Sequence, residues 1–340
     1  MIYRSKAPLR IGLAGGGTDV SPYCDLYGGA ILNATVSLFA YANIEPAADN
    51  NIVLRAADRN EEQSFSWNKQ LPVNGTLDLL KGVYNRISAD YGVPEKGFKL
   101  HTYVDAPAGS GLGTSSTLVV AIVGAFAEML KLPLGEYDIA HYAYSIERYD
   151  LKLAGGRQDQ YAATFGGVNY MEFYEDDKVI VNPLRIKTEY LSELENNLVL
   201  FFTATSRESA TIIKEQQKNV ENKKDSSIDA MHQLKEQSRM MKEALLKGRL
   251  NEVGEILDFG FQQKRKMAAN ISNQKIEEIY DAAKKAGASG GKISGAGGGG
   301  FMSFYCPGNT RYKVVETLQQ FGGEVKQYGF TKYGLTTWSV

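Results

Sequence analysis

The sequence predicts an α+β fold built in two parts, because composition and periodicity change along the chain. Up to about residue 174, runs rich in β-branched and aromatic residues, such as "AILNATVSLFAYANIEP" and "FKLHTYVDAP", indicate strands. From about residue 198, long charged stretches carry apolar residues at steps of three and four, which is typical of amphipathic helices. We therefore expect two domains, residues 1–190 and 191–340, with the boundary in the composition shift between 185 and 197.

Helices and strands can be placed within each part. The almost wholly apolar stretch from Thr114 to Leu132 predicts a buried helix, and a second helix is expected from Glu136 to Tyr149. In the second part, helical patterns cover residues 210–247, 251–269 and 273–285. Strands are expected to close the chain in "FMSFYC", "GEVKQYGF" and "GLTTWSV".

Composition excludes several classes of partner and chemistry. A net charge of -1 gives no electrostatic footprint for nucleic acid or an anionic membrane. No eighteen apolar residues run together and the N-terminus has no signal-peptide pattern, so we expect a cytoplasmic protein. A monomer or a homodimer is expected. The three histidines lie outside the glycine clusters and the two cysteines are far apart, which leaves zinc and imidazole chemistry without candidates.

The glycine cluster "PAGSGLGTSST" is the most informative of three. It follows a predicted strand and leads into the apolar helix, so its bare backbone and the positive helix end favour a polyphosphate such as that of ATP. The alternative is a helix capped by Ser or Thr after a glycine turn, which three alternating glycines and three hydroxyls make less favourable. The candidate phosphate-binding residues are Pro107, Gly109, Ser110, Gly111, Leu112, Gly113, Thr114, Ser115 and Ser116.

Two carboxylates lie near a second glycine pair, in "SIERYDLKLAGGRQDQYAATFGG". Glu147 could hold Mg²⁺ on the phosphates, and Asp159 could orient or deprotonate an acceptor hydroxyl. Arg10, in "APLRIGLAGGGTDVSPY", could bridge to Asp159, while Thr18 and Asp19 follow a glycine turn in a manner suited to a polyol. A plain β-turn with an Asx bond is the alternative for those last two residues.

The third cluster, "GAGGGG", matches the letters of the dinucleotide-binding fingerprint but leads into a strand where that fingerprint requires a helix. The chain also lacks the phosphate loop of the common nucleoside triphosphatases and the motifs of protein kinases. We expect the bare backbone to pack against the phosphate loop and to line the substrate cleft, with Gly297 and Gly298 as candidate substrate contacts.

The three clusters, in this order, resemble the signature motifs of the small-molecule kinases named for galactokinase, homoserine kinase, mevalonate kinase and phosphomevalonate kinase, the GHMP kinases. The resemblance implies an N-terminal domain with a left-handed βαβ crossover, a ferredoxin-like C-terminal domain, and ATP between them. It also implies that Asp159 is the catalytic carboxylate beside Arg10, that Mg²⁺ lies on Glu147 and on Ser115, or Ser116, and that Thr18 and Asp19 contact the sugar.

Within the superfamily, "PLRIGLAGGGTDVSPY" and "GGRQDQYAATFGG" most resemble the D-glycero-D-manno-heptose 7-phosphate kinases. The resemblance implies transfer of the γ-phosphate of ATP to the anomeric hydroxyl, in nucleotide-activated heptose biosynthesis. "AGGGTD" departs from the Gly-Glu-His-Thr-Asp turn of galactokinases, which argues against galactose. Another anomeric sugar kinase, such as one for L-fucose, and a non-catalytic nucleotide- or sugar-sensing relative stay open as alternatives.

A phosphosugar substrate needs a second anion site, for which basic residues outside the phosphate loop are the candidates. Arg207, which follows a predicted strand among hydroxyl residues, is the first to test. For each of these residues, an ordinary solvated surface position is the alternative. The candidates are Arg157, Arg207, Lys264, Arg265 and Lys266.

Overall fold

The computed structural model describes residues 1–205 and 209–340, and over these residues strands and helices are mixed as expected for the α+β class. The strands are β1 (Tyr3–Ala14), β2 (Gly29–Pro46), β3 (Asn51–Ala56), β4 (Glu61–Ser66), β5 (Phe98–Val104), β6 (Val168–Phe173), β7 (Val179–Pro183), β8 (Leu198–Phe202), β9 (Gly290–Ile293), β10 (Phe301–Tyr305), β11 (Glu324–Lys326) and β12 (Thr336–Ser339). The helices are α1 (Tyr23–Tyr27), α2 (Asp78–Asp90), α3 (Thr114–Leu130), α4 (Glu136–Ser145), α5 (Gln158–Phe165), α6 (Thr188–Asn197), α7 (Ser209–Glu221), α8 (Asp225–Lys247), α9 (Val253–Lys264), α10 (Gln274–Ala286) and α11 (Arg311–Gln319). A π-helical turn (Ile146–Asp150) extends α4, and 3₁₀ turns cover Ala57–Arg59 and Leu250–Glu252.

The larger sheet contains eight strands over the described residues. Its main path is β12-β1-β2-β5-β3-β4, with β6 paired to β2 and β7 paired to β6. β3 and β5 pair in parallel and are connected through β4 and α2, whereas the other pairs of this sheet are antiparallel. In β5 alternate residues are buried, as expected for a strand with one face on the core.

The predicted apolar helix is confirmed as α3, which packs against β1 and β2. All of its residues from Val119 to Phe126 are buried, so burial of apolar surface fixes the helix firmly on the sheet. This packing matters for function because the first residue of α3, Thr114, immediately follows the glycine cluster at residues 107–113. The sheet therefore positions the N-terminal end of α3.

The smaller sheet is antiparallel in the order β11-β8-β10-β9. Its apolar residues, including Phe201 and Phe304, form a separate core with the helices of the second half of the chain. The strand predicted after "GAGGGG" is confirmed as β10, which starts at Phe301. The third glycine cluster is thus the connection between β9 and β10.

Several elements differ from the expectations. The helix expected over 251–269 ends at Lys264, and the strand expected in "GEVKQYGF" covers only Glu324–Lys326. The helical stretch predicted over 210–247 is two helices, because the polar residues around Lys223, which has a φ of 52°, offer no apolar side chain to hold a continuous helix. The last strand, β12, pairs with β1 and so belongs to the larger sheet. The domain boundary near residue 190 stays a prediction. In the described part of the chain, no helix is both long and apolar enough to cross a membrane.

Candidate active site

A cavity of about 300 Å³ lies where the three glycine clusters meet. β1, the start of α3, the π-helical turn and α5 line it from the first half of the chain, and α7, α9 and the β9–β10 connection line it from the second half. Many of the residues singled out in the sequence line this cavity: Arg10, Asp19, Gly109, Gly111, Gly113, Thr114, Ser115, Ser116, Glu147, Asp159 and Lys264.

The glycines of the phosphate loop have the backbone conformation that the sequence predicts. Gly109, Gly111 and Gly113 have φ values of 72°, 85° and 79°. A Cβ atom on Gly111 would lie 2.8 Å from the carbonyl oxygen of Ser294, so the loop packs directly on the third glycine cluster. The first N–H to close a turn of α3 is that of Thr117, which donates to the Gly113 oxygen, so the preceding N–H groups are available for a ligand.

Arg10 joins the loop to the candidate catalytic carboxylate. Its Nε donates to Oδ1 of Asp159 at 2.6 Å, and its Nη1 donates to the carbonyl oxygen of Gly111 at 2.5 Å. The guanidinium is buried, whereas the Asp159 side chain is 22% exposed and faces the cavity. A Cβ on Gly113 would lie 3.1 Å from Oδ2 of Asp159, so glycine is needed for this close approach. The pairing that we expected between Arg10 and Asp159 is present.

Glu147 lies in the π-helical turn, buried beside the start of α3. Ser116 Oγ donates to its Oε1 at 3.1 Å, and the amide of Gln160 donates to its Oε2. Burial raises the pKa of Glu147, while Arg148, Ser116 and Gln160 oppose the rise. Ser116 is thus the hydroxyl that contacts Glu147, whereas Ser115 is exposed at the cavity.

This set of oxygens fits a magnesium ion. A carboxylate and hydroxyls are ligands of the hard type that Mg²⁺ prefers, and the ion usually completes its shell with phosphate oxygens and water. A cation beside Glu147 would also stabilise a carboxylate that burial disfavours in its charged form. Glu147 and Ser116, together with Ser115 at the rim, are the residues able to hold it.

Asp19 is buried and holds the start of α5. Its Oδ2 accepts hydrogen bonds from the backbone N–H groups of Arg157 and Gln158 at 2.9 and 3.0 Å. Burial raises the pKa of Asp19, the backbone bonds lower it, and nearby Asp159 raises it again. The carboxylate lines the cavity, so it positions the segment that carries Asp159 and is also within reach of a ligand.

Four of the predicted substrate contacts do not line the cavity or lie outside the described residues, and they stay predictions. The Thr18 hydroxyl lies within hydrogen-bond distance of the Gly15 and Ala30 oxygens and accepts from the Ala30 N–H, so it stabilises the turn, and a contact with substrate stays a prediction. Gly297 and Gly298 pack against the backbone at Ile271, and Gly295 and Ala296 line the cavity in their place. Arg207 lies outside the described residues.

The other four candidates for an anion site differ in whether they line the cavity or pair with residues elsewhere. Arg157 is buried with Asp25 and Asp177, Arg265 pairs with Glu277, and Lys266 bonds Gln263. These three basic residues therefore have partners elsewhere in the fold. Lys264 is different, since it lines the cavity, is 3% exposed and donates to the Gly295 oxygen at 2.6 Å.

Sequence reasoning missed several polar residues of the site. Lys292 is buried under β1 and donates to the Gly12 oxygen at 2.6 Å, and burial together with Lys264 and Arg10 lowers its pKa. Gln160 supports Glu147, and Gln216 reaches the cavity from α7. Gln216 stands in a stretch without a recognisable motif, whereas Gln160 stands within the second glycine-rich stretch and Lys292 directly before the third. In both of those stretches the pattern does not tell which polar side chain turns inward, so only the tertiary structure shows it.

Comparison with known proteins places this site in a family. Residues 78–167 match the GHMP kinases N terminal domain, and residues 241–324 match the GHMP kinases C terminal domain. A protein of Campylobacter jejuni named D-glycero-alpha-D-manno-heptose 7-phosphate kinase is 46% identical over 99% of both chains. The chain belongs to the GHMP kinase family. The expected fold and the expected class of enzyme, a small-molecule kinase, are therefore confirmed, and GHMP kinases use ATP as their phosphate donor.

Two further relatives show how the similarity falls off. A solved structure from Bacteriodes thetaiotaomicron, described as a D-glycero-D-manno-heptose 1-phosphate kinase, is 46% identical to this GHMP kinase, with a TM-score of 0.85 over 99% of both chains. The bifunctional fucokinase/GDP-fucose pyrophosphorylase of Arabidopsis thaliana is 26% identical over 98% of this chain and 32% of its own. This GHMP kinase is thus far more similar to the heptose phosphate enzymes than to the fucokinase.

Proposed function

We propose that this GHMP kinase transfers the γ-phosphate of ATP to the anomeric hydroxyl of D-glycero-D-manno-heptose 7-phosphate. The product would be the 1,7-bisphosphate, in the biosynthesis of nucleotide-activated heptose. The observation that carries the proposal is the 46% identity, over 99% of both chains, to a protein named as the 7-phosphate kinase. The geometry of the cavity supports the proposal as well, since it offers places for the triphosphate, the acceptor hydroxyl and the phosphate of the sugar.

The triphosphate fits the loop from Gly109 to Ser116. Free N–H groups and the positive end of α3 meet there, and both favour anions. Beside it, a second cavity of about 180 Å³ shares Leu153 with the first. Its wall is mainly apolar, with Leu77 and Leu118, and Asp58 adds a hydrogen-bond acceptor. We assign this cavity to the adenine base.

Asp159 is the residue that we assign to the acceptor hydroxyl. Arg10 holds Oδ1 of the carboxylate, which leaves Oδ2, near Gly113, to accept the proton of the hydroxyl or to orient it toward the γ-phosphate. The Arg10 guanidinium also lies beside the loop and stabilises negative charge that develops on the transferred group. When bound, Mg²⁺ on Glu147 and Ser116 supplies neutralisation of the phosphate charge.

Lys264 is the described cation best placed for the phosphate of the sugar. Burial and the charge of Arg10 lower its pKa to about 8, against a smaller opposing effect of Asp19. The ammonium group is therefore still mainly charged at pH 7 and can pair with an anion. Arg207 stays a second candidate for the same role.

The test is ADP release with a panel of acceptors: heptose 7-phosphate, heptose 1-phosphate, L-fucose, galactose and mevalonate. We expect turnover with heptose 7-phosphate and its loss in Asp159→Ala. Turnover with heptose 1-phosphate or fucose in its place would overturn the substrate assignment. No turnover with any acceptor would favour a nucleotide- or sugar-sensing protein, against which the paired Arg10 and Asp159 argue.

A further inference from the structure

Helix α7 contributes one buried polar side chain to the cavity. Gln216 is 3% exposed and lines the cavity, and its Nε2 has no hydrogen-bond partner within residues 1–205 and 209–340. A buried amide that keeps an unused donor is unfavourable unless something else accepts from it. An oxygen of a ligand in the cavity is the acceptor that this position can offer.

The surroundings of Gln216 supply the other half of the site. A Cβ on Gly17 would lie 3.6 Å from Oε1 of Gln216, and a Cβ on Gly16 would lie 3.8 Å from Nζ of Lys264. An amide and an ammonium, both hydrogen-bond donors, thus flank the same glycine turn. Glycine is required at position 17 because its φ is 102° and a Cβ would collide with Met267 Cε at 2.6 Å.

We infer that Gln216 selects the acceptor, its Nε2 donating to an oxygen of the sugar phosphate beside Lys264. The inference rests on the proposed function, since it names a specificity residue for that reaction. The oxygen belongs either to the 7-phosphate or to a hydroxyl of the sugar, and both are hydrogen-bond acceptors. A phosphate oxygen accepts only, whereas a hydroxyl also donates, and this difference separates the two sources.

The first variant to test is Gln216→Leu, which keeps the volume and removes the donor. We expect KM for heptose 7-phosphate to rise about 10-fold, the equivalent of one hydrogen bond, with KM for ATP little changed. The matched control is Gln217→Leu at the next position, because the Gln217 amide already donates to the Ser21 oxygen at 3.1 Å. An unchanged KM for the sugar in Gln216→Leu would overturn the inference.

The second variant, Gln216→Glu, identifies the oxygen. If Nε2 donates to the phosphate, the new carboxylate repels it, and Gln216→Glu is worse than Gln216→Leu with heptose 7-phosphate but not with unphosphorylated heptose. If Nε2 donates to a hydroxyl, that hydroxyl can donate to the carboxylate, and Gln216→Glu retains more activity than Gln216→Leu. Equal activity of wild type, Gln216→Glu and Gln216→Leu on both sugars would contradict either form.

Calorimetric titration of the full chain with heptose 7-phosphate separates the inference from the proposed function. A wild type that turns the sugar over, with Gln216→Leu binding it equally well, would overturn the inference alone. A wild type that binds the sugar without turnover would overturn the kinase reaction, and weaker binding by Gln216→Leu would still support the inference. A wild type that does not bind the sugar would overturn both. Circular dichroism of each variant confirms that it folds.

Discussion

The two sides of the cavity are built in different ways. The phosphate side consists of Gly109–Ser116 with Glu147, and its ligand-binding groups are mainly the backbone and hydroxyls of one short loop. The acceptor side consists of Asp19, from the first half of the chain, and of Gln216 and Lys264, from two different helices of the second half. In the proposed reaction, recognition of the triphosphate would thus be encoded locally, whereas recognition of the sugar would depend on the folding of both halves of the chain.

Both sides of the cavity contain buried ionisable groups. On the acceptor side, burial raises the pKa of Asp19 and lowers that of Lys264, so both groups are held in a less charged state than in water. On the phosphate side, burial likewise raises the pKa of Glu147, and Arg148, Ser116 and Gln160 oppose the rise only in part. Because the two sides consist of different residues, changes on one side should affect one ligand and spare the other.

The largest effect is expected at Asp159, where the two sides meet. Asp159→Asn should lower kcat by about 10²–10⁴-fold, because the amide cannot take the proton of the acceptor hydroxyl, while KM for ATP changes little. Steady-state kinetics with both substrates measure this. The control is Asp150→Asn, at a surface ion pair with Arg86. A kcat close to that of wild type would remove Asp159 from the chemistry.

Lys264 tests the acceptor side. Lys264→Met should lower kcat/KM for heptose 7-phosphate by about 10–100-fold at pH 7, the worth of a charge-assisted hydrogen bond, and spare KM for ATP. In wild type, Lys264 is charged below its pKa of about 8, so kcat/KM should fall as pH rises through that value. This fall in kcat/KM with rising pH should be absent in Lys264→Met and present in Lys266→Met. If Lys264→Met shows it as well, the titrating group is a residue other than Lys264.

Gln160 tests the phosphate side through its support of Glu147. Gln160→Leu should raise the Mg²⁺ concentration for half-maximal activity by about 10–100-fold, as expected when a partner of a metal ligand is lost. KM for the sugar should stay near that of wild type. Magnesium titrations of kcat measure the effect, with Gln217→Leu as the control. A shift in the sugar KM with an unchanged Mg²⁺ dependence would contradict the division of the cavity.

The smallest effect is expected from an alanine in the phosphate loop. Gly113→Ala should lower the free energy of unfolding by about 1–2 kcal/mol, because its φ is 79°, and should also displace Asp159 and lower kcat. Gly92→Ala is the matched control, since its φ is 73° and nothing lies within 4 Å of the added Cβ. Urea unfolding measures the backbone strain in each variant, and kcat measures the effect of the added Cβ on Asp159. Equal kcat values in Gly113→Ala and Gly92→Ala would argue against the contact between residue 113 and Asp159.

Much of the phosphate side could be predicted from sequence, because alternating glycines and hydroxyls before an apolar helix have a direct structural meaning. The pairing of Arg10 with Asp159 was also expected. The acceptor side could not be predicted to the same depth. Gln216 stands in an ordinary amphipathic helix, and the sequence left open whether Thr18 contacts substrate or stabilises a turn, where its hydroxyl bonds the Gly15 oxygen.

The third glycine cluster could be predicted only in part, because its contacts also depend on the tertiary structure. Its sequence indicates that two chain segments approach closely, but the pattern does not tell which glycine faces the cavity. The structure places Gly295 and Ala296 there and packs Gly297 and Gly298 on Ile271. Tertiary contacts of this kind cannot be predicted from a local sequence pattern.

The most direct test of the account is the position of the new phosphate. Phosphorus NMR of wild-type enzyme with ATP and heptose 7-phosphate should show ADP together with a second sugar phosphate signal coupled to the anomeric proton. The same mixture with Asp159→Asn should show no new phosphate signal in the time that the wild-type enzyme needs to complete the reaction. A new phosphate coupled to any other proton of the sugar, or no new phosphate ester at all, would contradict the proposed anomeric transfer.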